Sequence, residues 1–194
     1  MRIYLLGDSL SSGSSSPGAK FAKLLTAQGH EVRVNAKVGR SAYGFLRLED
    51  GANQLAEAAA WKPARVYIWL GTNDIGLAIG PVTTAMRRIR DAFPGSEVWA
   101  FGPPDFPEWT EEHALAGLVL GAMLGVYEPR FVNLVPLTAD MLEAPMRASD
   151  GVHFTAAGGT ELAKRMMKAA SGGGFWRMLS GVALGAMVWY FFFR

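Results

Sequence analysis

Cysteine is absent from all 194 residues. That excludes disulfides, thiolate metal sites and cysteine nucleophiles, and leaves the redox compartment open. Histidine is scarce: His30, His113 and His153 are the three imidazoles available for any histidine chemistry. Neither sign of charge dominates, since 19 Lys and Arg face 17 Asp and Glu for a formal net charge of +2. No basic block is long enough to form a nucleic-acid stripe, so nucleic acid is not an expected partner. A secretory leader is not expected either, because "MRIYLLGDSL" carries too short an apolar stretch before its polar residues. What is there is a chain half apolar in composition. Its length suits one ordinary domain with a real core plus a short appendage.

Short apolar runs rich in β-formers recur along the chain: "RIYLL" (2–6), "EVRVN" (31–35), "RVYIWL" (65–70), "EVWAF" (97–101) and "RFVNLV" (130–135). Helix-length segments separate them. "SPGAKFAKLLTAQG" offers Ser16 as N-cap, Pro17 at the first helical position and Gly29 as a stop. "EDGANQLAEAAAW", "PVTTAMRRIRDAF" and "TEEHALAGLVLGAMLGVY" fill the next connections, and "TAAGGTELAKRMMKAA" closes the domain. Alternating β and α elements imply a parallel sheet with helices on both faces, and nearly continuous apolar runs suit strands covered on two sides. Ligands of such folds collect beyond the carboxyl ends of the strands. Ser9, "VGRSAYG", "GTND", "FGPPDFPEW" and "SDGVHFT" each follow a strand, and all should converge on that one edge.

The residues at those ends suit acyl transfer. A serine hydroxyl becomes a nucleophile when a base takes its proton, and the base works best with a carboxylate orienting its other ring nitrogen. In "LLGDSLSSG" an apolar strand runs straight into Ser9, although Asp, Ser and Gly also make an ordinary turn without any function. Asp150 and His153 stand three apart around Gly151, so one local bend can bring the carboxylate to Nδ1 and leave Nε2 facing outward. The plainer alternative makes Asp-Gly a turn dipeptide and the histidine incidental. Three groups can donate to an oxyanion: the Ser9 amide, the Gly39 amide and the Asn73 side chain. His30 and His113 lack a carboxylate spaced like Asp150 and are expected on solvated surface.

These four blocks, "GDSLSSG", "NAKVGRSA", "GTND" and "DGVH", resemble those of the SGNH hydrolases, also called GDSL esterases and lipases, in order and placement over residues 1 to about 170. The resemblance implies a flavodoxin-like three-layer α/β/α sandwich with a five-stranded parallel sheet. It further implies a serine hydrolase of esters or thioesters that uses no metal or other cofactor. Ser9 would attack, His153 would carry the proton, Asp150 would orient His153, and Ser9, Gly39 and Asn73 would hold the oxyanion. Phe154 follows the histidine where a proline or aliphatic residue is more usual, a departure expected to touch the pocket wall. Leu10, Tyr43, Ile75, Phe106, Trp109 and Phe154 are the expected substrate-contacting residues. The substrate is then an acetyl or longer acyl ester, on a carbohydrate of the cell envelope or on a lipid.

After "SGGG" (171–174) comes "FWRMLSGVALGAMVWYFFFR", largely apolar from 175 to 193 and uncharged there but for Arg177. At about 1.5 Å per residue it reaches roughly 28 Å, barely a bilayer core. Trp176, Trp189 and Tyr190 favour interfaces, Arg177 and Arg194 can snorkel, and Gly181 and Gly185 form a G-x-x-x-G face suited to self-association. The expected organisation is a hydrolase domain (1–170), a linker (171–174) and a membrane anchor (175–194). Lys164, Arg165, Lys168 and Arg177 would keep the domain on the cytoplasmic side. A helix docked on the domain or a partner is the alternative for the tail, and a membrane-containing virion would satisfy the same features. "GLVLGAMLG", with Gly117, Gly121 and Gly125, is too short to span and is expected to pack on the sheet. A second class of function is a non-catalytic scaffold that assembles in a membrane, but such a scaffold has no need of all five site residues.

Overall fold

The computed structural model describes residues 1–106, 130–132, 134–143 and 145–171. Five strands, β1 (Arg2–Gly7), β2 (Glu31–Ala36), β3 (Arg65–Trp69), β4 (Glu97–Phe101) and β5 (Phe131–Val132), form one parallel sheet in the order β2-β1-β3-β4-β5. The chain therefore runs outward from β1 to β2, then crosses back to continue on the other side at β3. That reversal opens a crevice past the ends of β1 and β3, where ligands of doubly wound sheets bind.

Alternation along each strand feeds two cores. Ile3 and Leu5 of β1, with Tyr67 and Trp69 of β3, pack under α1 (Pro17–Ala27) and the helix Ala156–Ser171. Tyr4, Leu6, Val66 and Ile68 point the other way, against α2 (Ala42–Leu48), α3 (Gly51–Ala60) and α4 (Ile79–Asp91). Helices on both faces give the three-layer α/β/α arrangement. Phe21 of α1 meets Tyr67 and Phe101 edge-on at 4.9 and 5.5 Å, while Tyr67 and Phe101 stack at 5.5 Å. Burial of a ring such as Phe21 contributes about 1.5–3 kcal/mol. Helix α1 begins as its sequence dictates: Ser16 accepts the Ala19 amide at 3.2 Å and Pro17 sits at the start.

Two elements depart from the sequence expectation. "SAYGFLRL", which the sequence pattern assigns to no element, is α2; Ser41 caps it by accepting the Gly44 amide at 2.8 Å, and the buried Asp74 accepts the Ala42 and Tyr43 amides at 2.7 and 3.1 Å. A carboxylate 32 residues away thus completes a helix that local pattern left unassigned. Among the described residues the fifth strand, expected over 130–135, pairs through Phe131 and Val132, opposite Ala100 and Phe101. The chain then enters a short helix, α5 (Val135–Thr138), with proline in its first turn, where a missing N–H is harmless but would break a ladder. The closing helix, α6, spans Ala156–Ser171.

The segment "TEEHALAGLVLGAMLGVY", with His113, Gly117, Gly121 and Gly125, lies outside the described residues, as do Trp109 and the tail with Trp176, Arg177, Gly181, Gly185, Trp189, Tyr190 and Arg194. Among the described residues no helix is long and apolar enough to cross a membrane.

Candidate active site

The loops beyond β1, β2 and β3 meet through side chains that lock their backbones. Past β1, the fully buried Asp8 accepts the Leu10 amide at 2.8 Å and so caps the 3-10 turn Ser9–Ser11, which leaves Ser9 half-buried at its start. Burial pushes the Asp8 carboxyl up to about 7. Past β2, Gly39 has φ +73 and an open surrounding, so its backbone angle rather than lack of space calls for glycine. Past β3, the Asn73 amide donates to the Arg40 carbonyl at 3.0 Å and, more weakly, to Asp8 Oδ2 at 3.4 Å. One side chain therefore ties all three loops together. Neither the Ser9 nor the Gly39 amide N–H has a hydrogen-bond partner among the described residues.

Arg40 holds this arrangement from beneath. Its buried guanidinium donates to the carbonyls of Gly7 (3.3 Å) and Asn35 (2.9 Å), to Asn35 Oδ1 (3.0 Å) and to Glu49 Oε2 (3.1 Å). It also lies 4.9 Å from the Phe45 ring. The ends of β1, β2 and α2 are thereby fixed at one point beside Gly39.

The fourth block is a single turn. Asp150 Oδ1 accepts the amides of Val152 (3.0 Å) and His153 (2.8 Å), while Oδ2 lies 2.7 Å from His153 Nδ1. Gly151, at φ +67, lets the chain reverse between them. These bonds from the His153 amide and ring hold the Asp150 carboxyl below its usual value. With Nδ1 engaged, Nε2 is the nitrogen left for proton transfer. Among the described residues the Ser9 hydroxyl and His153 Nε2 make no hydrogen bond to each other; catalytic hydrogen bonds often tighten only when substrate binds. Among the described residues no group of three or more Asp, Glu or His side chains is placed to hold a metal ion.

The expected pocket wall is only partly where the sequence suggested. Tyr43 and Ile75 are partly exposed, but Leu10, Phe106 and Phe154 are buried in the core beneath α1 and α6. Phe154 lies under the Arg147 guanidinium, 3.7 Å from ring centre to Cζ, so the unusual aromatic after the histidine serves packing and not an open wall. Sequence reasoning missed the supporting residues Arg40, Asp74 and Arg147 and the acceptor role of Asp8. "GRS", "TND" and "APMRASDGVH" placed them next to site residues, yet nothing in one sequence marks a charge as buried.

The model of the GDSL-like Lipase/Acylhydrolase family matches residues 5–159, a range that contains Ser9, Gly39, Asn73, Asp150 and His153. Solved structures share the fold. TesA is similar with a TM-score of 0.68 at 22% identity, over 88% of this chain and 98% of its own. The psychrotrophic esterase EstA from Pseudoalteromonas sp., solved with monoethylphosphonate as inhibitor, gives 0.66 at 15% identity, over 87% and 95%. The lipase Lip_vut3 from a goat rumen metagenome gives 0.62 at 15%, over 89% and 98%. No curated protein matches the sequence.

Proposed function

The chain belongs to the GDSL-like lipase/acylhydrolase family, a family of carboxylic ester hydrolases, and from that premise we propose that it cleaves acyl esters at Ser9. His153 Nε2 removes the hydroxyl proton as Ser9 Oγ attacks the acyl carbonyl. Asp150, bonded to Nδ1, stabilises the imidazolium that forms. The amides of Ser9 and Gly39 and the side chain of Asn73 carry the charge on the tetrahedral oxygen. To reach it, Asn73 gives up the long contact to Asp8, the weaker of its two bonds. His153 then returns the proton to the leaving alcohol. Water, deprotonated by the same ring, attacks the acyl-serine and releases the acid, so proton and nucleophile are both regenerated.

One observation carries the reading: the 2.7 Å contact between Asp150 and His153, with the other carboxylate oxygen held by two backbone amides, presents a fixed imidazole in a family-matched frame. Acetyl or longer acyl esters, on carbohydrate of the cell envelope or on lipid, are the substrates this reading assigns. The decisive experiment is hydrolysis of p-nitrophenyl acetate and its longer homologues by the full chain and by Ser9→Ala. Turnover lost in the variant supports the reading; no turnover, or turnover that survives Ser9→Ala, ends it. The reading also includes attachment to a membrane through residues 175–194, supported by their composition and the glycine linker before them. Deleting 171–194 is expected to move the protein from the membrane pellet to the supernatant, and continued pelleting would overturn the anchor.

A further inference from the structure

Arg147 is a buried cation whose bonds go to main-chain carbonyls. Nε donates to Met141 O at 3.0 Å, Nη1 to Val152 O at 2.9 Å, and Nη2 to Asp105 O. Its plane is covered by the rings of Phe154 (3.7 Å) and Phe106 (5.1 Å). The three carbonyls belong to three separate segments: the stretch after α5, the turn that carries Asp150 and His153, and the loop leaving β4. Asp105 is itself fixed, because its amide donates to Thr138 Oγ1 at 2.8 Å and that hydroxyl is bonded to Leu134 O at 2.9 Å.

Val152 is the residue whose amide holds Asp150 Oδ1, so Arg147 grips the same residue, from its carbonyl, that orients the carboxylate. Among the described residues the backbone of the turn is otherwise bonded through the Arg147–Phe154 bridge, Ala148 N to His153 O at 2.9 Å, Gly151 N to Ala148 O at 3.1 Å and Thr155 N to Met146 O at 3.0 Å. All of these lie within its own hairpin. Among these contacts, the guanidinium is what refers the hairpin to the sheet, by way of the β4 exit loop. A fork of donors in fixed geometry is suited to that task, whereas a lysine ammonium is a point charge on a flexible stem.

We propose that Arg147 is a positioning residue for the acid–base pair, setting where His153 stands relative to Ser9 by clamping Val152 to the β4 exit loop. The inference rests on the reading of Ser9 and His153 as nucleophile and base. A displacement of about 1 Å at a reacting group can cost about a hundredfold in rate, so Arg147→Lys is expected to lower kcat on that order. KM stays near the wild-type value, because no substrate contact is removed.

The test measures kcat and KM for p-nitrophenyl acetate, with active enzyme counted by the burst of a phosphonate that labels serine. Counting active sites removes any contribution from a smaller folded fraction. Arg147→Ala leaves a slot between two aromatic rings, and guanidinium ion, at concentrations far below denaturing, is expected to raise its kcat while leaving the Ser9→Ala background unchanged. Phe106→Leu and Phe154→Leu loosen the clamp without removing charge and are expected to lower kcat less than Arg147→Lys; they keep the inference testable if the arginine variants do not fold. Wild-type kcat per active site in Arg147→Lys, or in both phenylalanine variants where the arginine variants fail to fold, would overturn the inference and leave the esterase reading intact. Failure of the wild-type chain to turn over would instead strike the esterase reading.

Discussion

Asp8→Asn should make the protein more stable above neutral pH while removing a pH dependence the wild type has. Asp8 is fully buried, and burial raises its carboxyl from an ordinary 3.8 to about 7. Between those values the native state holds a proton that the unfolded chain has released. Stability then falls as pH rises from about 4 to about 7, and is flat on either side. At about 1.4 kcal/mol per pH unit, the full loss is about 4 kcal/mol. Asparagine is neutral throughout; its amide oxygen can still accept the Leu10 N–H that Asp8 holds at 2.8 Å, and its NH2 gives up the long 3.4 Å bond from Asn73, a loss that does not vary with pH. Urea unfolding followed by tryptophan fluorescence, run on both proteins from pH 4 to 9, gives the difference curve. Asp74, also raised by burial, is present in both, and because its charge helps to raise Asp8 the difference curve reports Asp8 together with that coupling. The variant should gain about 4 kcal/mol on wild type between the acid and alkaline ends. A difference that stays constant across that range would refute the argument that burial keeps Asp8 protonated in the native state.

Two other perturbations follow from the same geometry. Gly158→Ala places a Cβ 2.0 Å from the Met146 carbonyl oxygen, against backbone that cannot move aside. The helix-propensity gain of about 1 kcal/mol is outweighed by an overpacking cost of about 1–3 kcal/mol or more, so Tm should fall; a rise would show that the 146–147 segment yields. Asp150→Asn keeps the turn but offers an amide where His153 Nδ1 needs a carboxylate, and kcat for p-nitrophenyl acetate should drop about a thousandfold to ten-thousandfold with KM little changed. A loss of less than tenfold would mean that this carboxylate does not orient the base.

Much of the frame was legible without coordinates. Strands buried on both faces must be apolar nearly throughout, so β1, β3 and β4 stand out as runs, and Ser16-Pro17 marks the start of α1 through capping chemistry that acts within one turn. Asp150 and His153 were legible as a pair because everything that joins them lies within four residues. Local signals failed where the partner is distant. Helix α2 depends on Asp74, 32 residues from Ala42, and a short helix with proline in its first turn begins at Val135, where the apolar run still reads as strand. Leu10, Phe106 and Phe154 read as wall residues because position in a loop says nothing about depth.

The layered α/β architecture, the order of the four blocks along the chain and the chemistry each one can offer follow from periodicity, turn residues and functional groups within short windows, and so are written in the primary structure. Which charges are buried, and what they hold, emerges on folding: Asp8 over the Ser9 turn, Arg40 beneath the Gly39 loop, Arg147 behind the His153 turn. Burial is a property of the whole packed chain. A guanidinium that bonds three carbonyls from three segments has no counterpart in any stretch of residues until folding brings those segments together.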